Sequence, residues 1–265
     1  MHQAEDFRAE SQALANVLSD LPENRFFEPT QFKDWTIDDV LGHLHFFNFA
    51  AEQALVDPKG SDAFLKDLMA EFAKGVSIRD VQYPWLDGLK GRALCDAWKA
   101  GSDRLADAFA TADPKARLRW VGPEMSARSS ITARQMETWA HGQEVFDHLG
   151  QRRKEADRIK NIVYLGINTF GWTFQNRGLT PPEPMPFVHL TAPSGAIWEF
   201  GTPATDDRID GSAVAFAQVV TQVRNVADTD LVTTGQTARD WMAMAQCFAG
   251  PPHDPPAPGT RFVAD

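Results

Sequence analysis

The sequence predicts an α+β chain, a helical first two thirds followed by a smaller mixed part, and three observations predict it. Apolar residues recur at helical spacing through most of residues 4–176. The proline cluster Pro181-Pro182-Glu183-Pro184, with Pro186 close behind, then interrupts the chain. Beyond it, short β-branched and aromatic runs flank Pro193-Ser194-Gly195, as in a hairpin. Two domains are expected, a helical one over 1–180 and a small α/β one over 187–265.

The first helix is expected over 4–20, where Phe7, Leu14, Val17 and Leu18 keep helical spacing before the loop through Pro22, Asn24 and Pro29. The second has a clear start. Thr36 can cap it while Asp39, three residues on, reaches back in a capping box, and Pro58-Lys59-Gly60 stops it after about Val56. Segments 62–75 and 88–111 continue the amphipathic pattern. A loop is expected between about 112 and 130, because Gly122-Pro123 excludes regular structure, with Ser129 or Ser130 capping the next helix. A further helix is expected over 154–176, ending at Asn176-Arg177-Gly178. In the last third the pattern predicts strands at 188–191 and 196–200, a helix over 212–224, a short strand near 231–233 and a helix over 236–248. The proline-rich tail from Gly250 is expected to be irregular.

Composition bounds the function. With 43% hydrophobic residues among 265, the chain can build true cores. Its formal charge of −10 argues against nucleic-acid and anionic-membrane partners, so an anionic substrate would need a local positive group. Cys95 and Cys247 stand far apart in apolar helical patterns, outside any Cys-x-x-Cys spacing, which fits a reducing cytoplasm rather than a disulfide framework. The acidic N-terminus lacks the basic and apolar regions of a signal peptide, and no run approaches the ~20 apolar residues of a membrane span. The eight tryptophans sit mostly in amphipathic segments and read as core. Ser126 and Ser129 lack a Gly-x-Ser-x-Gly context and read as turn or cap residues.

The chemistry concentrates in Met136-Glu137-Thr138-Trp139-Ala140-His141-Gly142-Gln143-Glu144. A carboxylate and an imidazole four residues apart on a helix project from one face, which is half of a metal site. His43, in the helical stretch that begins at Trp35, is the best candidate for a third ligand. Taken alone, the spacing also fits a plain stabilising pair on a solvated face, since Glu137, His141, Glu144 and His148 share a stripe opposite Met136, Trp139 and Phe146. His43, sharing its face with Val40, Phe47 and Ala50, equally fits a hydrogen-bonded core residue. His45 points about 160° away around the same helix and cannot share an ion with His43.

A resemblance shifts this balance. The segment Trp35 through His43 resembles the start of the second helix of the DinB-like metal-binding bundle, in the branch of the mycothiol-dependent maleylpyruvate isomerases. Trp120-Val121-Gly122-Pro123, Ser126 through Ser129 and Thr132 through Val145 are similar to a narrower metal-binding group within that branch. Residues 187–250 resemble the small α/β, sterol-carrier-like domain that follows the bundle there. The resemblance implies an antiparallel four-helix-type bundle followed by that domain, and its ligands fall on His43, Glu137 and His141. Imidazole and carboxylate ligands with an open position suit zinc in a catalytic site, with nickel, iron and manganese also compatible. Glu144, one turn from His141 and two from Glu137, is placed to support them.

What the resemblance implies for function is a divalent metal holding a low-molecular-weight thiol as thiolate, acting by isomerisation or thiol transfer on a small electrophilic, carboxylated molecule. The isomerases draw an arginine from the small domain to receive a carboxylate. Arg224 occupies the comparable position, although Val223 stands where the family usually has glycine and Arg224 also fits a helix C-terminal cap. Arg128 and Arg134 are the alternatives on the bundle side. A metal-activated-water hydrolase and a non-catalytic metal- or ligand-binding module are the competing functions, and a homodimer is compatible with the sequence.

Overall fold

The structure is a computed structural model that describes residues 1–264. Its contacts divide the chain into two compact units, Met1–His148 and Leu149–Asp265.

Four long helices build the first unit: α1 (His2–Leu18), α2 (Ile37–Val56), α5 (Gly91–Thr111) and α6 (Ala127–His148). Between α2 and α5 lie α3 (Pro58–Ala73) and the short α4 (Tyr83–Leu86). Each long helix packs on two others, in the cyclic order α1, α5, α2, α6. Met1 donates to the Ala110 carbonyl of α5 while Arg8 of α1 reaches Asp103 and Asp107, so that pair runs antiparallel, as do α2 and α6, where Arg134 lies over the Phe47 ring while His43 faces Glu137. The pair α2 and α5 runs parallel, with Asp38 accepting from the Gly91 amide at one level and Asn48 donating to Ser102 at another. Ala4, Phe7, Ala51, Ala54, Leu105, Phe109 and Ile131 close the core at one end of this bundle.

The local causes are legible. The capping box holds the start of α2: the Asp39 amide donates to Thr36 Oγ1 at 3.1 Å and the Thr36 amide to Asp39 Oδ2 at 2.9 Å. Asp57 caps α3, with Pro58 at its first position. Gly42 lets α4 press on α2, since a Cβ there would stand 2.9 Å from Leu86 Cδ1. Two-residue strands β1 (Arg117–Leu118) and β2 (Met125–Ser126) pair across the Gly122-Pro123 loop. The cap of α6 is Ser126, which accepts from the Ser129 amide at 3.1 Å, and not Ser129 or Ser130 as the sequence suggested. Strand β2 ends there, so the helix starts at Ala127 and Ser130 is already a buried helical position.

The second unit begins before the proline cluster, so residues 149–180 lie with it rather than with the bundle. The helix expected over 154–176 is broken into α7 (Lys160–Asn168) and α8 (Phe170–Gln175). At the break Thr169 Oγ1 donates back to the Leu165 carbonyl at 2.8 Å, a local bond that bends helices. The sheet follows, formed by β3 (Phe187–Thr191), β4 (Ile197–Phe200), β5 (Arg208–Ser212) and β6 (Val232–Thr234) in the order β4-β3-β5-β6. β3 pairs with β4 antiparallel and with β5 parallel, an unpredicted strand whose only apolar branched residue is Ile209. The helix α9 (Ala213–Val220) buries Phe216 and Val220 against α7, where Gly166 leaves room for both side chains. α10 (Gln236–Met244) adds Trp241, packed edge-on to Phe170 and Phe216. No helix among the described residues is long and apolar enough to cross a membrane.

Candidate metal centre

The α2/α6 pairing decides which side chains meet. α6 presents Glu137 and His141 one turn apart, and antiparallel packing sets them opposite His43, seven residues beyond the Thr36 cap of α2. Glu137 Oε2 stands 3.3 Å from His43 Nε2 and 3.5 Å from His141 Nε2. One donor atom from each of the three residues lies within 4.8 Å of the others.

Aromatic rings wall this cluster. His141 stacks on Trp35, ring planes 2° apart with centroids at 5.8 Å, and takes the edge of Phe32 at 5.1 Å. His43 lies between Trp35 and Phe47, at 5.6 and 4.8 Å. Behind His141, Glu144 Oε2 faces Nδ1 at 3.4 Å, which orients the ring with Nε2 toward Glu137. On the other side Arg134 sets Nη2 3.8 Å from Glu137 Oε1.

Burial and charge sort the protons. Burial pushes the His43 imidazole down to about 4, against the pull of Glu137, so this ring is neutral near pH 7. His141 is buried too, but its bonds to Glu137 and Glu144 prevail and raise it to about 9. Burial works against the Glu137 carboxylate, yet the two imidazoles and the Arg134 charge hold it well below the usual carboxylate range. The metal-free cluster thus carries a carboxylate, a neutral imidazole and an imidazolium.

The donor set fits a divalent ion. Ligands about 2.0–2.1 Å from a tetrahedral ion stand about 3.3–3.4 Å apart, and the Glu137 oxygen lies at that spacing from both imidazole nitrogens. His43 Nδ1 is buried without a hydrogen-bond partner among the described residues, so none of them competes through it to turn the ring away from Glu137. Two imidazoles and one carboxylate match sites that keep a position for an exchangeable ligand.

Comparison with known proteins places the chain in a family. The family model described as the mycothiol maleylpyruvate isomerase N-terminal domain matches residues 7–146, the stretch that holds the whole cluster. The chain belongs to the mycothiol maleylpyruvate isomerase family. Two uncharacterised proteins of Mycobacterium tuberculosis, from strains CDC 1551/Oshkosh and H37Rv, are each 36% identical over 247 residues, 93% of this chain and 95% of theirs. The crystal structure of the mycothiol-dependent maleylpyruvate isomerase shares the fold with a TM-score of 0.52 at 17% identity, covering 82% of this chain and 87% of that one. A single-residue variant of that isomerase gives 0.53 at 14% identity over the same shares.

In this isomerase-family chain the remaining sequence candidates take definite places. His45 sits off the cluster, its ring against Trp85 at 5.1 Å, and His148 pairs with Glu28 at 3.0 Å. Arg128 is exposed, whereas Arg134 is buried beside Glu137. Arg224 lies in the second unit beyond α9, buried, with Nη1 donating to the Val223 carbonyl at 2.9 Å. Sequence reasoning did not single out Phe32, which lies in a non-helical turn and carries no periodic signal. Arg134, one helical turn before Glu137, is among the bundle-side candidates the sequence offers.

Proposed function

We propose that the protein is a metal-dependent enzyme that uses a low-molecular-weight thiol, by isomerisation or thiol transfer, on a small electrophilic and carboxylated substrate. The convergence of His43, Glu137 and His141 in one aromatic-walled cluster carries this reading. Family membership supports the thiol, since the solved relative is named as mycothiol-dependent. The sterol-carrier-like reading of the second unit belongs to the same proposal, supported by its small sheet flanked by α9 and α10.

His43, Glu137 and His141 would hold the ion, with zinc the best match to their chemistry. Bound there, the ion supplies a Lewis acid that lowers a thiol's pKa, so that a thiolate exists at neutral pH. Glu144 orients His141 by accepting a hydrogen bond from Nδ1, which keeps Nε2 available as a ligand. Glu137 supplies the negative charge, and the rings of Phe32, Trp35 and Phe47 keep bulk water from the imidazoles. Arg224 is the arginine proposed to receive a substrate carboxylate, by its position in the small domain.

Cobalt substitution tests the thiol. Sulfur ligation gives an intense charge-transfer band that oxygen ligation lacks, so adding a small thiol to the cobalt-loaded protein should produce one. A loaded protein that shows no band with any of several thiols would favour a metal-activated-water hydrolase or a non-catalytic binding module instead.

A further inference from the structure

We propose that Arg134 is an anion-recognising residue on the bundle side of this centre, holding a carboxylate brought beside the ion, in addition to the carboxylate proposed for Arg224, with small carboxylates the chemical class it selects. The inference rests on the metal reading above.

Arg134 lies one turn before Glu137 and nearly two before His141, on the stripe that faces α2. Its side chain is packed between two aromatic rings. The guanidinium carbon sits 5.8 Å from the Phe47 ring centroid and 5.4 Å from that of Trp120, and the residue is only 5% exposed. A cation in such surroundings normally spends its donors on an anion. Here Nη2 stops 3.8 Å from Glu137 Oε1, beyond hydrogen-bond distance, and Nη1 is buried with no hydrogen-bond partner among the described residues. Glu137 meanwhile turns Oε2 to the two imidazoles. One carboxylate therefore faces cations on both sides.

A planar guanidinium with an uncommitted edge suits a carboxylate, which has a second oxygen to offer when the first is on an ion.

Acetate is the probe, and the cobalt spectrum of the loaded full-length protein is the readout, with cobalt content measured on every sample. Acetate should perturb the wild-type spectrum saturably. Arg134→Gln removes the charge and Arg134→Lys keeps it without the planar fork. At equal cobalt content the first should weaken acetate by about tenfold or more and the second by a smaller factor. Acetate affinities within twofold of wild type in both variants would overturn the assignment, and if Arg134→Gln fails to fold or load, an unchanged affinity in Arg134→Lys does so alone. Cobalt-loaded wild type that is blind to acetate also overturns it while leaving the metal reading intact. A wild-type protein that binds no metal overturns the centre itself, and this inference with it.

Discussion

Glu137 Oε2 lies 3.3 Å from His43 Nε2, a contact between residues 94 positions apart that ties α2 to α6. The distance suits both a hydrogen bond in the metal-free protein and a shared edge of a coordination polyhedron, so loading an ion needs little movement of either helix.

Removal of metal should therefore loosen the protein by mass action. An ion bound only by the folded chain stabilises it by about 2.7 kcal/mol at a free concentration a hundred times its Kd. Treatment with a chelator should lower Tm, and re-addition of one equivalent of zinc should restore it. An unchanged melting curve after verified metal removal would mean that the ion, if bound, lies elsewhere.

Binding should also release a proton. In the metal-free protein His141 keeps its proton up to about pH 9, whereas His43, at about 4, has already lost its own. An ion taking His141 Nε2 must displace that proton, so affinity should rise about tenfold per pH unit below pH 9 and level off above it. Calorimetry at pH 7.5 in buffers of different protonation enthalpy should report about one proton released per ion. Because the folded value lies above the unfolded 6.5, this group stabilises the metal-free protein fully below about pH 6.5. That contribution is lost as pH rises through about 9.

The capping box offers a test of how His43 is placed. Thr36→Ala removes the acceptor for the Asp39 amide and should cost about 1 kcal/mol of stability. Chemical denaturation should show the loss with an unchanged m-value, and metal content should stay at the wild-type level, because α2 is held along its length by α5 and α6.

For Arg224, the expected result concerns turnover rather than metal. In a thiol-dependent assay with small unsaturated carboxylic acids, Arg224→Lys should lower kcat/KM while cobalt or zinc content is unchanged. Loss of the paired hydrogen bonds to a carboxylate typically costs about 2–5 kcal/mol when the partner charge is left buried. Equal kcat/KM in the variant would remove Arg224 from the substrate site.

Local signals account for what the sequence made legible. Thr36 and Asp39 announce α2 by chemistry that needs no tertiary partner, and the four-residue spacing of Glu137 and His141 needs only a helix. What was illegible depends on partners distant in sequence. Nothing in residues 204–212 alternates apolar and polar, yet β5 forms because β3 and β6 supply its hydrogen bonds. Residues 149–180 read as more bundle because helical spacing does not say what a helix packs on, and the Gly166 contact with Phe216 and Val220 ties α7 to α9. The α2/α6 antiparallel packing, which alone brings His43 to Glu137, likewise follows from the whole core rather than from either segment. Resemblance to the family supplied His43 where spacing left it open.

The central claim is that His43, Glu137 and His141 hold one divalent ion, and elemental analysis of purified wild type beside His43→Ala and His141→Ala tests it most directly. The expected result is about one ion per wild-type chain and near none in either variant, with the helical circular dichroism of all three alike. Wild type without metal after loading, or either folded variant retaining a full equivalent, would contradict it.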